Sequence, residues 1–357
     1  MSVPRCIQCG YVLTGLPPGK CPGCDRPFNP NDLTSFSDKP LYNPLQFWLP
    51  GFLLAFGCGL VLYPVLIHFT GFGWTVTLLL PLCLGTIIGY GCRVMYFVQV
   101  LIALIVLAGA ILGLAVHEIV GVYCGIVMAG VALGPLLLGT LFGAVLRMRL
   151  KQSAWGQRWY LPMVMLMIAP MVAGTIEAQY PVTYPDETVS TTLIMPVSVG
   201  RAWNAVMFYE EIHEPPPLLI RFALPRPLFT RGSVERVGDL KVCIYRRGRL
   251  VKRVAERIPN VILAFSLVEQ RKIEVESVIL KRGSFKFAPL SDTETSVTLT
   301  TTFQPLLGPR WCWRWAEHIG LTTLHEFVLN GMRHKAIADS QPQPAIVLRP
   351  PPRAGGL

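Results

Sequence analysis

At 357 residues the chain has room for two or three domains. Charged residues make up 15% and hydrophobic ones 52%, with a mean hydropathy of +0.47, which excludes a wholly soluble protein, where charge runs near 25%. The net charge of +11 is carried by one short loop and the C-terminal part; Phe47 to Leu146 holds only Arg93 and Glu118. The first apolar run starts at Phe47 and no secretory signal precedes it, so the first membrane helix is expected to serve as the targeting signal.

Residues 1–40 hold Cys6, Cys9, Cys21 and Cys24 as two Cys-x-x-Cys pairs with eleven residues between them. Each pair turns two thiolates toward one point, and two such turns complete a tetrahedron around Zn²⁺. Gly10 supplies a permissive φ after the first turn, and Pro22 and Gly23 shape the second. The alternative, two disulfides, requires an oxidising compartment. The loop charges described below put this end in the cytoplasm, which favours structural zinc. The side chains are too few to bury a core, so folding is expected to depend on the metal. Only Arg5, Lys20 and Arg26 lie in or beside the segment, opposed by Asp25, too little charge to grip nucleic acid. A structural knob, or one that docks a protein partner, is expected.

Four long apolar stretches follow, at Phe47–Phe69, Phe72–Cys92, Val94–Val120 and Val122–Leu146. Each reaches the roughly 20 residues needed to cross the bilayer. A fifth, Leu161–Ala178, is shorter and interrupted by Pro170 and Glu177, and is read as spanning, with an interfacial position as the alternative. Residues 47–180 therefore form a membrane region of four or five helices. Gly109/Gly113 and Gly121/Gly125 have the small-xxx-small spacing that lets helices approach closely. Arg147, Arg149, Lys151 and Arg158 mark the loop after the fourth stretch as cytoplasmic, and Arg93 agrees. The N-terminus is then inside, and the side of the C-terminal domain depends on the fifth stretch. Arg93, His117 and Glu118 all fall near helix ends, so the region reads as an anchor rather than a transport path.

From about Glu187 the pattern changes to short β-branched runs with turn signals: "TVSTTLIM", "LLIRFAL", "KVCIYRRGRLVKRVAER", "NVILAFSLVE", "RKIEVESVILKRGSFKFAPL" and "TSVTLTTTFQPL". Val199, Trp203, Val206 and Met207 are spaced as a helix. "YRRGRLVKR" reads as an exposed basic hairpin. Ile273, Val275, Ser277 and Ile279 are expected on an inward face, with Val278 on the wet one. Pro309 opens a long final helix whose apolar row is Trp315, Ile319, Leu324, Val328 and Met332. Glu210, Glu211, His213 and Glu214 form an acid/base cluster on paper but suit a solvated helix end. His325-Glu326 has no second histidine at 329 and makes no zinc site. The layout is α+β, with a curved antiparallel sheet gripped by the last helix.

The N-terminal "CxxCGYxLxGL…CPxC" resembles the small zinc ribbons that precede membrane helices in many bacterial proteins, which implies a bacterial inner-membrane protein. The stretches "TTLIMPVSVGRAWNAV", "VGDLKVCIY", "SVTLTTTFQPLLGPRWCWRW" and "LHEFVLNGMRHKA" resemble the SRPBCC superfamily, of START/Bet v 1-like and polyketide-cyclase-like helix-grip fold. The resemblance covers roughly Thr188 to Ala338, nearly the whole of a domain at residues 187–340. It implies an apolar cavity between sheet and final helix that takes a membrane lipid or another hydrophobic molecule; a few members are enzymes, so cyclase- or hydrolase-like chemistry and a plain scaffold stay open. The aromatic candidates for its wall are Trp203, Phe208, Tyr245, Phe265, Phe285, Phe287 and Phe303. Leu324, Val328 and Met332 would face them from the helix. Residues 341–357 are Pro-rich and expected to be disordered.

Overall fold

The computed structural model describes residues 4–7, 11–30, 32, 34–37, 45–92, 94–116, 121–150, 160–180, 182–209, 215–246, 248–271 and 277–339. The chain forms two compact units. One comprises Met1–Thr70, Trp74–Leu114 and Ala129–Gln179; the other comprises Gly71–Gly73, Ala115–Met128 and Tyr180–Leu357. Arg93, His117, Glu118, the Glu210–Glu214 cluster and the 341–357 tail lie outside the described residues.

The first unit opens with two-residue strands. β1 (Arg5–Cys6) pairs with β4 (Phe36–Ser37), and β2 (Gly19–Lys20) pairs with β3 (Pro27–Phe28), both antiparallel. Cys6, Leu13, Cys21 and Phe28 are buried together, with Leu16 and Phe36 against them. The segment thus has a small apolar core of its own, which the sequence reading had denied it. A positive φ falls at Asp25, just past the second cysteine pair.

Five helices follow: α1 (Leu45–Thr70), α2 (Leu80–Gly91), α3 (Tyr96–Val116), α4 (Val122–Leu150) and α5 (Tyr160–Gln179). A π-helical stretch, Thr75–Leu79, runs into α2. Among the described residues three segments are long and apolar enough to cross a membrane: Leu49–Thr70, Tyr96–Val116 and Val122–Arg149. Thr75–Gly91 and Met165–Gln179 are apolar but shorter. Their ends are tied to neighbours within the unit. The Glu177 carboxylate accepts the N–H groups of Trp74 (2.7 Å) and Thr75 (3.0 Å). At the end of α2, Arg147 Nη1 donates to the Cys92 carbonyl at 2.6 Å.

The closest backbone approach uses glycines other than the two pairs expected. A Cβ on Gly85 or Gly89 would lie 2.0 Å from the carbonyl oxygens of Leu136 and Thr140. A Cβ on Gly139 or Gly143 would lie 2.1 or 2.2 Å from those of Leu82 and Thr86. Helices α2 and α4 are therefore in backbone contact through four glycines, two from each, at the i, i+4 spacing that puts them on one face. Gly109 and Gly113 instead face the side chains of Phe56 and Leu60 on α1.

The second unit is a seven-stranded antiparallel sheet in the order β5-β11-β10-β9-β8-β7-β6. The strands are β5 (Glu187–Met195), β6 (Pro227–Gly232), β7 (Leu240–Tyr245), β8 (Gly248–Ile258), β9 (Ile262–Arg271), β10 (Val278–Ser291) and β11 (Glu294–Pro305). α6 (Val199–Met207) and α7 (Leu218–Phe222) connect the two edge strands, and α8 (Arg310–Ala338) packs on β5, α6 and α7. This is the α+β layout read from the sequence. The main core gathers Met195, Trp203, Phe287, Val297 and Leu329, with the Trp203 and Phe287 rings 5.2 Å apart. On the outer face, hydroxyl pairs Thr188–Thr302, Ser190–Thr300 and Thr192–Thr298 join β5 to β11 at 2.9–3.2 Å.

Three expectations are corrected here. Ser277 is buried as expected, but Val278 is 2% exposed and Ile279 45%, the reverse of the expectation for those two; Ile273 and Val275 lie outside the described residues. A register shift between Leu280 and Arg282 places one extra residue in β10. Inward residues are even-numbered before it and odd-numbered after it, at Phe285 and Phe287, so one alternation cannot describe the strand. The basic segment is a hairpin with Arg246, Arg249 and Arg253 exposed, as read, but it is not at an edge: β8 lies between β7 and β9 and turns Lys252 onto the inner face. On α8, Trp315 and Ile319 are exposed while Met332 is buried. The five-residue step from Ile319 to Leu324 carries the row about 140° round the helix at 3.6 residues per turn, so the five positions are not one stripe.

Candidate functional site

Strands β6 to β10 and the C-terminal half of α8 enclose a mostly apolar cavity of about 80 Å³. That is space for roughly six waters, enough for a short chain or small ring and small for a whole lipid. Alternation along β7 and β8 builds one wall. Lys241, Cys243 and Tyr245 share the inner face of β7; Leu250, Lys252 and Val254 share that of β8. Tyr245, Phe265 and Phe285 line the cavity from the sheet, and Val328 and Met332 from the helix.

The other five proposed positions lie elsewhere. Trp203 and Phe287 pack on each other in the main core. Phe303 is 0% exposed in a separate cluster with Val189, Val278 and Leu321. Leu324 packs with Ile220, Leu224 and Phe327 beside α7. Phe208 is 56% exposed, because it terminates α6 and its side chain leaves the buried face.

Sequence reasoning missed the two lysines. Lys241 is 8% exposed, and its Nζ donates to the carbonyls of Met207 (3.1 Å) and Tyr209 (3.4 Å). Lys252 is half-buried, with its Nζ 5.7 Å from the centre of the Phe265 ring. The signal was present: in "RLVKRVA" Lys252 falls between Leu250 and Val254 at period two, on the face both share. It was hidden because the neighbouring Arg246, Arg249 and Arg253, all exposed, make the segment read as solvated.

Across the sheet from Lys252, α8 places His325 between two strands. Its Nδ1 pairs with the Thr191 hydroxyl (3.1 Å) and its Nε2 with that of Thr301 (2.8 Å). Burial, helped by the Lys252 charge, pulls the imidazole down to about 4. The ring is neutral at physiological pH and ties the helix to β5 and β11.

A second titratable group sits at the start of α8. Glu187 accepts from Arg310 (2.8 Å) and contacts His318 (3.0 Å), while Arg310 also lies 2.7 Å from Glu317. Burial pushes the Glu317 carboxyl up to about 7; Arg310 pulls it down and Glu187 pushes it further up. Burial also raises Glu187, but hydrogen bonds from Arg310 and His318 outweigh it and leave that carboxyl below its ordinary value.

In the first unit, the sulfurs of Cys6, Cys21 and Cys24 lie within 4.8 Å of one another, with Cys6 and Cys24 at 3.5 Å. A tetrahedral site with Zn–S near 2.3 Å separates its sulfurs by about 3.8 Å. The three described thiols therefore fit a zinc ion. Cys9, the fourth ligand expected, lies outside the described residues.

No family model and no curated protein matches the chain. Solved structures that align with part of it include the ZhuI aromatase/cyclase from Streptomyces sp. R1128, at 14% identity and a TM-score of 0.33, covering 44% of this chain and 97% of that one. Norcoclaurine synthase from Thalictrum flavum aligns at 9% identity and a TM-score of 0.32, covering 45% and 99%. A START superfamily protein from Mycobacterium smegmatis aligns at 12% and 0.30, covering 41% and 97%. Likenesses at these scores carry no argument about this chain.

Proposed function

We propose that the protein is a membrane-anchored binder of a hydrophobic ligand, held in the cavity of an SRPBCC-like C-terminal domain, with a structural Zn²⁺ at Cys6, Cys9, Cys21 and Cys24. The cavity supports this reading most directly: an apolar space closed by Val328 and Met332 of α8 against aromatic strands. The three long apolar segments suit an anchor. The zinc would cross-link the two cysteine turns and leave a small knob for a protein partner. Native mass spectrometry of the full-length protein, released from nanodiscs, should find a hydrophobic small molecule bound one to one. Recovery of ligand-free protein that also takes up no hydrophobic probe would leave only a scaffold.

The ends of the helices support a side for the domain. Arg147 meets Cys92 at one end of the first unit, and Glu177 meets Trp74 and Thr75 at the other. Helix α5 then finishes level with Trp74 and Thr75, where the π-helical stretch begins. Loop charges put the Cys92 end in the cytoplasm, so α5 crosses and the C-terminal domain lies outside.

A second reading, an enzyme using the same cavity, is favoured by the convergence of Lys241, Lys252 and Tyr245 on its wall. Recovery of a bound molecule chemically changed after incubation would select it.

A further inference from the structure

We propose that the first half of α8 lies in the headgroup layer of the bilayer, with Trp311, Trp315 and Ile319 inserted among the lipids. This rests on the reading of the long apolar helices as membrane-crossing, and it adds a lateral contact between the C-terminal domain and the lipid surface.

Helix phase makes the face. Trp311, Trp315 and Ile319 stand at i, i+4 and i+8, which brings them onto one side of α8. They are 67%, 53% and 49% exposed. Cys312, Trp313, Ala316 and Leu321 are buried, so the same turns hide one set of apolar side chains and display another. The charged residues beside the row are engaged elsewhere: Arg314 (3.2 Å) and His318 (3.0 Å) both meet Glu187 on β5. Two indoles and an isoleucine offer no charge to an acidic or basic partner. They suit a medium that is apolar on one side and wet on the other, where tryptophan concentrates in membrane proteins.

Chain continuity brings that medium alongside. Phe72 comes two residues after Thr70, the end of the apolar segment Leu49–Thr70, and its carbonyl accepts the Gly308 N–H at 2.7 Å. The Phe72 and Trp313 rings meet edge to face with their centres 6.2 Å apart. Tyr123 is the second residue of the apolar segment Val122–Arg149, and its hydroxyl donates to the Ala316 carbonyl at 2.5 Å. Gly320 permits that approach, since a Cβ there would lie 3.3 Å from the Tyr123 ring. Two residues of chain reach at most about 7 Å. The headgroup layer is about 5–7 Å deep on each side of the hydrocarbon. The first turn of α8 therefore starts at the depth of that layer. Ile319 and Trp315 lie about 60° and 100° round the helix from Ala316, so the exposed row flanks the tie to Tyr123. Further along, the same helix carries Val328 and Met332 over the cavity. Lipid would grip one end of the element whose other end closes the site.

The test uses the full-length protein in phosphatidylcholine nanodiscs. It reads the fluorescence removed by Trp311→Phe and Trp315→Phe together, substitutions at exposed positions that keep the face apolar. That difference spectrum is expected to be blue-shifted from indole in water. Lipids brominated near the headgroup should quench it at least about twofold more than lipids brominated near the end of the acyl chain. A red-shifted, unquenched difference overturns the inference, because the face is then in water. A blue-shifted difference that neither lipid quenches also overturns it and assigns the face to a protein neighbour. Stronger quenching by the deep bromines overturns it too, since the helix would then lie in hydrocarbon. The remaining tryptophans, Trp74 at the start of the π-helical stretch among them, are the internal control. If they are quenched and the difference is not, the membrane reading stands and the inference falls. If no tryptophan is quenched by either lipid, the membrane reading itself falls.

Discussion

Glu177, near the end of α5, accepts the backbone N–H groups of Trp74 and Thr75 at the start of the π-helical turn that leads into α2. The charge that interrupts the fifth apolar stretch caps its neighbour, satisfying donors that would otherwise be costly in a membrane. Glu177→Ala should lower stability by about 1 kcal/mol, read as a fall of a few degrees in thermal midpoint, and Glu177→Gln, which still accepts, by less. A reporter fused after Gln179 should read as outside and one after Lys151 as inside. Two inside readings would mean that α5 does not cross.

The four-glycine contact between α2 and α4 leaves no room for a methyl group. Gly85→Ala and Gly143→Ala each set a Cβ against a backbone carbonyl, which cannot swing away as a side chain can. Each should cost about 1–3 kcal/mol by overpacking. Gly134→Ala on α4, where a Cβ meets nothing within 4 Å, should stay within about 0.5 kcal/mol of the parent. Thermal unfolding of the three variants in one detergent decides it; equal midpoints would show that the helices separate easily.

For the cysteine cluster, elemental analysis of the full-length protein should give one zinc per chain. Cys21→Ser should reduce it, and chelator should loosen residues 1–40 to proteolysis while the small core of Leu13 and Phe28 leaves some residual order. Undiminished zinc in the Cys21→Ser protein would remove Cys21 from the site.

Val328 and Leu324 are one turn apart on α8, yet they meet different things. Val328 faces the cavity and Leu324 packs beside α7. Val328→Trp should fill the space, abolish uptake of a small hydrophobic probe and leave the thermal midpoint nearly unchanged. Leu324→Trp should destabilise by about 1–3 kcal/mol and spare binding in the protein that stays folded. The opposite pattern would put the ligand beside α7.

Glu317 predicts a pH dependence whose sign is fixed. Its folded value, near 7, lies above the ordinary 4.5, so the folded state holds a proton that the unfolded chain releases. The stability this contributes is complete below pH 4.5 and is lost as pH rises toward 7. Relative to Glu317→Gln, the unaltered protein should lose stability across that window and not beyond it. His325 acts in the opposite direction, losing stability as pH falls from 6.5 toward 4, because its folded value is depressed. A difference between parent and Glu317→Gln that is flat from pH 4.5 to 7 would mean that burial does not govern this carboxyl.

Much of the architecture was legible because it rests on long-range periodicity. Apolar length marked the helices, the Val199–Met207 spacing marked α6, and Pro309 marked the start of α8. The errors came where one residue changes phase. Ser277 and Val278 are both buried where β10 begins, which puts Val278 inside and Ile279 outside, and the five-residue step on α8 moved Leu324 off the row of Ile319. The cavity was harder to read because its distinguishing side chains are not aromatic. Core and cavity wall share the same apolar alphabet, and only the three-dimensional register brings Lys241 opposite Lys252.

The seam between β5 and β11 is held by neutral groups on both faces: hydroxyl pairs outside, and His325 between Thr191 and Thr301 inside. Its first residue, Glu187, belongs instead to the ionic knot with Arg310 and His318. The strand is therefore stitched along its length by bonds largely indifferent to salt, and clasped at one end by bonds that are not. Any fraying that ionic strength provokes should begin at that clasp and stop at the first hydroxyl rung, like a zip with a soft pull and hard teeth.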